Sequence, residues 1–123
     1  MVTIEQIREL QQRIQILGKC INVEQKRDDV AQKQEKTLAP DFWDDPKKAE
    51  AFLKELAAVK FWVNGYDEVA SAAEDLNVLY DFAKDSLEGS AEDIQTEEVR
   101  ELDKAYSKAL EELEALVIEH KAV

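Results

Sequence analysis

The sequence predicts an all-α fold, an elongated antiparallel helical bundle or coiled-coil hairpin organised on one long central helix. Apolar residues recur at spacings of three and four through most of the chain, which is the periodicity of a helix. Only three Gly and two Pro occur among 123 residues, so little of the chain is suited to turns. No segment alternates apolar and polar residues as a half-exposed strand would. We expect residues 1–123 to form a single helical domain.

The first helix is predicted over residues 3–18. Thr3 and Gln6 have the spacing of a capping box, which is a specific signal for the start of a helix. Gly18 is unfavourable inside a helix, so we expect a kink or a short break around residues 18–22. One apolar stripe follows the cap, formed by Ile7, Leu10, Ile14, Leu17 and Ile21.

The second helix is predicted over residues 22–38. Asn22 is a suitable N-cap, and Pro40 ends the helix because it lacks an N–H and its ring clashes with the preceding turn. The apolar stripe of this helix is thinner, and it consists of Val23, Val30 and Leu38.

A turn framed by two prolines follows. Asp45 is a suitable N-cap for the next helix, and Pro46 then falls at the first helical position, where a missing N–H costs nothing. Phe42 and Trp43 lie between the prolines. Either they pack the turn onto the helices, or they form an exposed anchor for a partner. The predicted structural turn comprises Pro40, Asp41, Phe42, Trp43, Asp45 and Pro46.

The long helix is predicted over residues 46–86. About 40 residues at 1.5 Å each give a rod of about 60 Å, which must pack lengthwise against other helices. Gly65 lies inside it, either where a neighbouring helix approaches closely or, alternatively, at a hinge. The apolar stripe contains Phe52, Leu56, Val59, Val63, Tyr66, Ala70, Ala73, Leu76 and Tyr80.

The last helix is predicted over residues 91–121, after a break at Gly89. Gly89 suits the end of the long helix, and Ser90 or Thr96 suits the next N-cap. Antiparallel pairing about Gly89 places this helix on the distal two-thirds of the long helix and leaves the near third for the second helix. The stripe consists of Val99, Leu102, Tyr106, Leu110, Leu113, Val117 and His120.

Acidic residues dominate the second half of the chain. The net charge is -12, which argues against a free nucleic-acid-binding protein. Residues 67–103 hold 13 acidic residues and two basic ones. This acidic end around Gly89 is either a solvated surface or a contact for a basic protein surface. The candidate contact residues are Glu88, Glu92 and Asp93.

The sequence offers no catalytic or metal-binding constellation, so we expect no enzyme, no metal and no cofactor. The carboxylates lie on helix faces expected to be hydrated, where no pKa shift suited to catalysis arises. His120 stands alone at the end of its stripe, and Cys20 has no second thiol and follows its stripe closely enough to be a small core residue. No apolar run spans a bilayer and the N-terminus does not resemble a signal peptide, so a cytoplasmic location is expected.

The run PDFWDDPKKAEAFLKE, from Pro40 to Glu55, resembles the N-terminal domain of the bacterial peptide chain release factor 2 family. That family has a P-D-x-W-x-x-P turn followed by a helix with Ala at the position of Ala49 and Lys-Glu at Lys54 and Glu55. The basic pair at residues 26–27 also matches. The segment at residues 17–22 departs from the family, since Gly and Lys stand in shifted order and a Cys replaces an aromatic residue.

The resemblance implies a part of a translation termination factor. The full factor reads UGA and UAA on the ribosome and promotes peptidyl-tRNA hydrolysis through S-P-F and G-G-Q motifs in later domains. Neither motif occurs in these 123 residues, so the codon-reading and hydrolysis-promoting domains are absent. The resemblance further implies that this domain reaches towards the ribosomal stalk base, where a stalk protein and large-subunit RNA meet. No catalytic residue carries over.

The residues themselves leave an alternative open, a freestanding helical adaptor or chaperone-like coiled-coil module. A longer parent gene that encodes S-P-F and G-G-Q downstream would separate the two hypotheses. An enzyme in its own right is the weakest reading. The apolar stripe left over on the long helix also leaves pairing with a second copy open, while membrane and free DNA are not expected partners.

Overall fold

The computed structural model of the protein describes residues 1–89 and 95–122. These ranges contain a short 3₁₀ turn, Phe42–Asp44, and no strand. The predicted all-α fold class is therefore confirmed. The four α-helices are α1 (Ile4–Cys20), α2 (Val23–Lys36), α3 (Pro46–Ser86) and α4 (Glu97–Ala122).

Helix α3 is the central element, and the other three helices pack along it. The side chain of Gln11 on α1 donates a hydrogen bond of 3.0 Å to the carbonyl oxygen of Ala73. Further along the chain, Arg27 on α2 pairs with Asp67. As the chain advances from Gln11 to Arg27, the contacted residue on α3 moves back from Ala73 to Asp67. Both α1 and α2 therefore run antiparallel to α3.

Helix α1 runs parallel to α4. The backbone N–H of Val2 donates to Asp103 Oδ1 at 2.8 Å. Eleven residues further along both segments, Arg13 Nη2 lies 2.6 Å from Glu114 Oε1. Helices α1, α3 and α4 thus form a three-helix bundle. The sequence stripes did not indicate this position for α1.

Two regions follow from this arrangement. The three-helix body consists of α1, α4 and residues 61–86 of α3. The arm consists of α2, the 3₁₀ turn and residues 46–60 of α3, where only two helices pack together. The most deeply buried large side chains all belong to the three-helix body, and they are Ile7, Leu10, Leu76, Val99, Leu102 and Leu113.

The arm has a thin interior. Its fully buried residues are Val23, Ala49 and Leu56, and of these only Val23 joins the main apolar cluster. The ammonium of Lys33 lies 5.5 Å from the centre of the Phe52 ring, which is cation–π contact distance. The arm thus buries fewer large apolar side chains than the three-helix body does.

The short break expected around residues 18–22 is present between α1 and α2, but it does not fall at Gly18, because α1 continues as a regular helix to Cys20. Gly18 instead permits close packing, since a Cβ atom there would lie 2.8 Å from the Tyr66 ring. The chain breaks after Ile21, where Asn22 takes a left-handed conformation with φ of 55°. Asn22 precedes α2, but its side chain makes no capping hydrogen bond.

Gly65 also serves close packing, since α3 passes through it without interruption. A Cβ atom at Gly65 would lie 3.0 Å from Leu116 Cδ2 on α4. The structure therefore favours the close-approach interpretation of this glycine over a hinge.

Helix α4 is capped by Thr96, one of the two predicted N-caps. Its first residue is Glu97, because the hydroxyl of Thr96 accepts the N–H of Val99 at 3.1 Å and so caps the helix there. Residues 95 and 96 are not helical, and the predicted start at residue 91 and the alternative cap Ser90 lie outside the described residues. Gly89 has φ of +75°, which suits the reversal after α3.

Two predicted core positions are wrong. Leu38 is 81% exposed because α2 ends at Lys36, two residues earlier. Cys20 is exposed because the neighbouring Ile21 occupies the buried position of the stripe. His120, the end residue of its stripe, is exposed near the end of α4, and its ring centre lies 6.2 Å from that of Trp62 in an edge-to-face contact.

Candidate interaction surfaces

The aromatic turn divides its two rings between packing and exposure. Phe42 is half-buried and packs edge to face on Phe52, with ring centres 5.6 Å apart. Trp43 stacks edge to face on Phe42 at 4.9 Å but remains 61% exposed. The packing interpretation therefore applies to Phe42, whereas the exposed-anchor interpretation fits the position of Trp43.

Local hydrogen bonds fix the shape of this turn. The N–H of Phe42 donates to the carbonyl oxygen of Ala39 at 3.1 Å. Asp45 Oδ1 accepts the N–H of Lys48 at 3.2 Å, so Asp45 caps α3 and Pro46 occupies its first turn. Pro40 and Asp41 lie exposed in the same turn. Trp43 is consequently presented from a well-defined backbone.

A shallow groove lies beside Trp43 at the start of α3. Its volume is about 440 Å³, and its apolar lining includes Pro46, Leu53 and Ala57. Glu50 and Lys54 form an ion pair of 3.4 Å along its edge. The lining of this groove is thus largely apolar, with the charged pair at its edge.

The opposite end of α3 carries the acidic surface. Glu88 is exposed there, while Glu92 and Asp93 lie outside the described residues. Other exposed carboxylates surround this end, on Asp81 and Asp85 of α3 and on Glu97, Glu98 and Glu101 of α4. The structure thus brings acidic residues from two helices to one end of the three-helix body.

Among the described residues, Arg27 and Asp67 form the ion pair whose pKa values are clearly shifted, and they join the arm to the three-helix body. Arg27 Nη1 lies 2.7 Å from Asp67 Oδ2 and Nη2 lies 2.5 Å from Oδ1, which is a bidentate geometry. Hydrogen bonding from Arg27 lowers the pKa of the Asp67 carboxyl, against the opposing effect of desolvation. The guanidinium pKa of Arg27 is raised by the same hydrogen bonds. Local sequence patterns do not reveal this pair, because its partners lie 40 residues apart.

Within residues 1–89 and 95–122, no group of three or more potential metal ligands comes together. In the same part of the chain, no helix combines the length and apolar character needed to cross a membrane. The features that distinguish the surface are therefore its exposed apolar residues and its charge.

Comparison with known proteins gives a consistent family match. The model of the PCRF domain matches residues 24–122, which comprise most of α2 and all of α3 and α4. A peptide chain release factor 2 from Staphylococcus haemolyticus is 33% identical over 75 residues, which is 61% of this chain and 20% of that protein. No solved structure matches the chain significantly.

Other relatives extend the similarity over more of the chain. A peptide chain release factor 2 from Proteus mirabilis is 31% identical over 108 residues, 88% of this chain and 28% of that protein. One from Pseudarthrobacter chlorophenolicus is 31% identical over 113 residues, 92% of this chain and 29% of that protein. The chain thus spans less than a third of the length of these curated relatives.

Proposed function

Because the chain belongs to the PCRF domain family, we propose that it is the N-terminal helical domain of a translation termination factor. The observation that carries this proposal is the family match over residues 24–122, together with relatives named peptide chain release factor 2. In the proposal, the whole factor recognises UGA and UAA stop codons on the ribosome and promotes peptidyl-tRNA hydrolysis. The motifs for those two steps belong to domains outside these 123 residues.

The role proposed for this domain is to dock near the base of the ribosomal stalk. The continuous 41-residue helix α3, about 60 Å long at 1.5 Å per residue, supplies the reach. The acidic end around Glu88 supplies a surface complementary to a basic stalk protein. Large-subunit RNA would meet other parts of the domain, since phosphates are repelled by this acidic end. The domain acts in the cytoplasm, with no cofactor and no catalytic residue of its own.

Co-sedimentation with ribosomes tests the docking role. We expect the chain to pellet with bacterial ribosomes and to pellet less with ribosomes that lack the stalk-base protein, because part of the contact is then missing. Equal recovery with both kinds of ribosome would remove the stalk base from the proposal. Recovery should also fall with rising salt, since the proposed contact is between opposite charges.

A charge-reversal variant tests the acidic end directly. Glu88→Lys, Glu92→Lys and Asp93→Lys together should weaken stalk-dependent termination by the full-length factor. The matched control reverses three exposed acids away from this end, Glu9→Lys, Asp28→Lys and Glu35→Lys, with the same change in net charge. Equal effects of both variants would show that only overall charge matters.

A freestanding helical adaptor is the second candidate, and the exposed apolar residues of the arm favour it. Trp43 and Leu38 both present large apolar surfaces to solvent. In that case the gene would encode no S-P-F or G-G-Q motif downstream of residue 123. Sequencing of the complete transcript separates this candidate from a termination factor.

A further inference from the structure

A groove between α3 and α4 runs along one side of the three-helix body, away from both the acidic end and the aromatic turn. Its volume is about 360 Å³. The apolar floor of this α3–α4 groove includes Val69 and Leu116, and the half-exposed Phe61 lies at one end with 49% of its surface open to solvent. Gly65 lines the floor without a side chain, and the buried Leu116 packs beside it, while Ala115 is exposed in the same groove.

Three glutamates line the same groove, Glu68 on α3 and Glu112 and Glu119 on α4. None of the ion pairs within the described ranges involves them. By contrast, Glu114 on the same helix pairs with Arg13 at 2.6 Å. The groove therefore combines an apolar floor with carboxylates that have no cationic partner in the described parts of the chain.

Glu112 has a buried carboxylate oxygen, Oε2, that lacks a hydrogen-bond partner among the described residues. A buried acceptor left without a donor costs free energy, and rotation of the partly exposed Glu112 side chain towards a donor in the groove recovers that cost. A charged donor is favoured most, because hydrogen bonds between ionised groups are the strong ones.

We propose that the α3–α4 groove binds a cationic, amphipathic segment of a partner protein. An arginine or lysine of the partner donates to Glu112, while its aliphatic stem lies on the apolar floor. The exposed ring of Phe61 offers a cation–π contact to a second basic residue. Apolar residues of the segment cover Phe61 and Ala115, the exposed apolar residues of the groove.

Charge complementarity selects this occupant over the others. A second copy of this chain carries a net charge of -12 and the same three glutamates, so two such grooves repel each other. Nucleic-acid phosphates meet the same repulsion. A cationic protein segment alone among these three is attracted by the carboxylates and also fits the apolar floor.

This inference does not depend on the proposed role in termination, because it concerns a different surface from the one around Glu88. It is tested with a short synthetic helical peptide built only from Lys and Leu. The peptide is titrated into the isotope-labelled chain at an ionic strength of about 0.15 M, where weak long-range attraction is screened. We expect saturable backbone amide shifts centred on Gly65, Glu112 and Leu116.

Matched variants make the test specific. Glu112→Gln should weaken binding of the peptide by about tenfold, which is about 1.4 kcal/mol. Glu111→Gln removes the same charge from an exposed neighbour outside the groove and should change affinity by less than about twofold, in line with the small effect of surface charges. The same peptide with Glu in place of Lys should not bind.

Three results would overturn the proposal. These are an absence of binding, equal losses in Glu112→Gln and Glu111→Gln, and amide shifts centred on the acidic end around Gly89 instead of the groove. Phe61→Ala gives a second check on the floor of the groove, with Val78→Ala as its control because Val78 is an exposed apolar residue of the same helix that does not line the groove. Equal affinities of these two variants would remove the aromatic contact from the proposal.

Discussion

The three-helix body and the arm are built on the same helix, yet they bury very different amounts of apolar surface. In the three-helix body, each apolar stripe faces two other helices, so residues such as Ile7, Leu76 and Leu102 are almost completely removed from water. In the arm, α3 faces only α2, and Val30, Phe52 and Val59 are half-buried. Packing of a third helix therefore buries apolar side chains that remain half-exposed where only two helices meet.

The difference indicates an uneven distribution of stability. Burial of apolar area is the main favourable contribution to folding, and the three-helix body has most of it. Local opening occurs first where few apolar contacts hold the backbone. We therefore expect amides of α2 and of residues 46–60 to exchange with solvent faster than those of α1, α4 and residues 61–86.

The largest expected loss of stability comes from truncating a buried leucine, and one such leucine lies in each region. Leu76→Ala in the three-helix body should lower the free energy of unfolding by about 2–5 kcal/mol, because its neighbours on three helices cannot collapse into the cavity. Leu56→Ala in the arm should cost about 2 kcal/mol or less, since its surroundings are already partly open to water. Urea denaturation measures both values. Equal losses would contradict the division into two regions.

The next effect concerns the reversal of the chain at the end of the three-helix body. Gly89→Ala should lower the free energy of unfolding by about 1 kcal/mol, because the positive φ of this residue is strained for any L side chain. Apart from its chain neighbours, no atom of residues 1–89 and 95–122 lies within 4 Å of the position of an added Cβ, so collision with these residues does not contribute. Gly89→Asn is the control, since Asn tolerates this conformation better than Ala. Equal destabilisation by both would show that strain is not the cause.

A smaller loss of stability is expected when the ion pair between the two regions is removed. Asp67→Asn removes the bidentate partner of Arg27 and should cost at most about 1 kcal/mol, because the pair is largely exposed. Its clearest sign should be faster amide exchange in α2 with little change in α1. A uniform increase across all four helices would contradict a local link between the arm and the body.

The same pair gives a pH dependence with a definite direction. The pKa of Asp67 is lower in the folded chain than its ordinary value, so the ionised carboxylate stabilises the folded state above the pKa of the unfolded chain, about 3.9. This stabilisation is lost as the pH falls through the folded-state pKa. The stability difference between the wild-type chain and Asp67→Asn should therefore be constant near neutral pH and shrink below about pH 4.

The smallest effect distinguishes packing from exposure within the aromatic turn. Trp43→Ala should change the free energy of unfolding by about 0.5 kcal/mol or less, because most of the side chain already contacts water. Phe42→Ala should cost more, since Phe42 packs on Phe52 as well as on Trp43. A larger loss in Trp43→Ala would mean that Trp43, not Phe42, holds the turn.

Features fixed by neighbouring residues were predicted well from the sequence. The capping box of Thr3 and Gln6 is present, and α3 has the predicted bounds, Pro46–Ser86, because Asp45 and Pro46 define its start through local geometry. The five stripe residues of α1 are all buried. These features depend on helical periodicity and capping, which a single sequence contains.

Features that depend on which helices meet were predicted less well. The position of α1 beside α4 and the link between Arg27 and Asp67 arise from contacts between distant parts of the chain. Cys20 continues an apolar stripe, and it is exposed only because Ile21 takes the buried position beside it. The α3–α4 groove also requires the close approach at Gly65, which periodicity does not specify.

The continuity of α3 through both regions has a mechanical consequence. A single unbroken helix joins the aromatic turn to the acidic end, so neither end can rotate without moving the other. For a rod of about 60 Å, a tilt of about 5° at one end displaces the far end by about 5 Å. Helix α3 therefore fixes the distance and the relative direction of the aromatic turn and the acidic end.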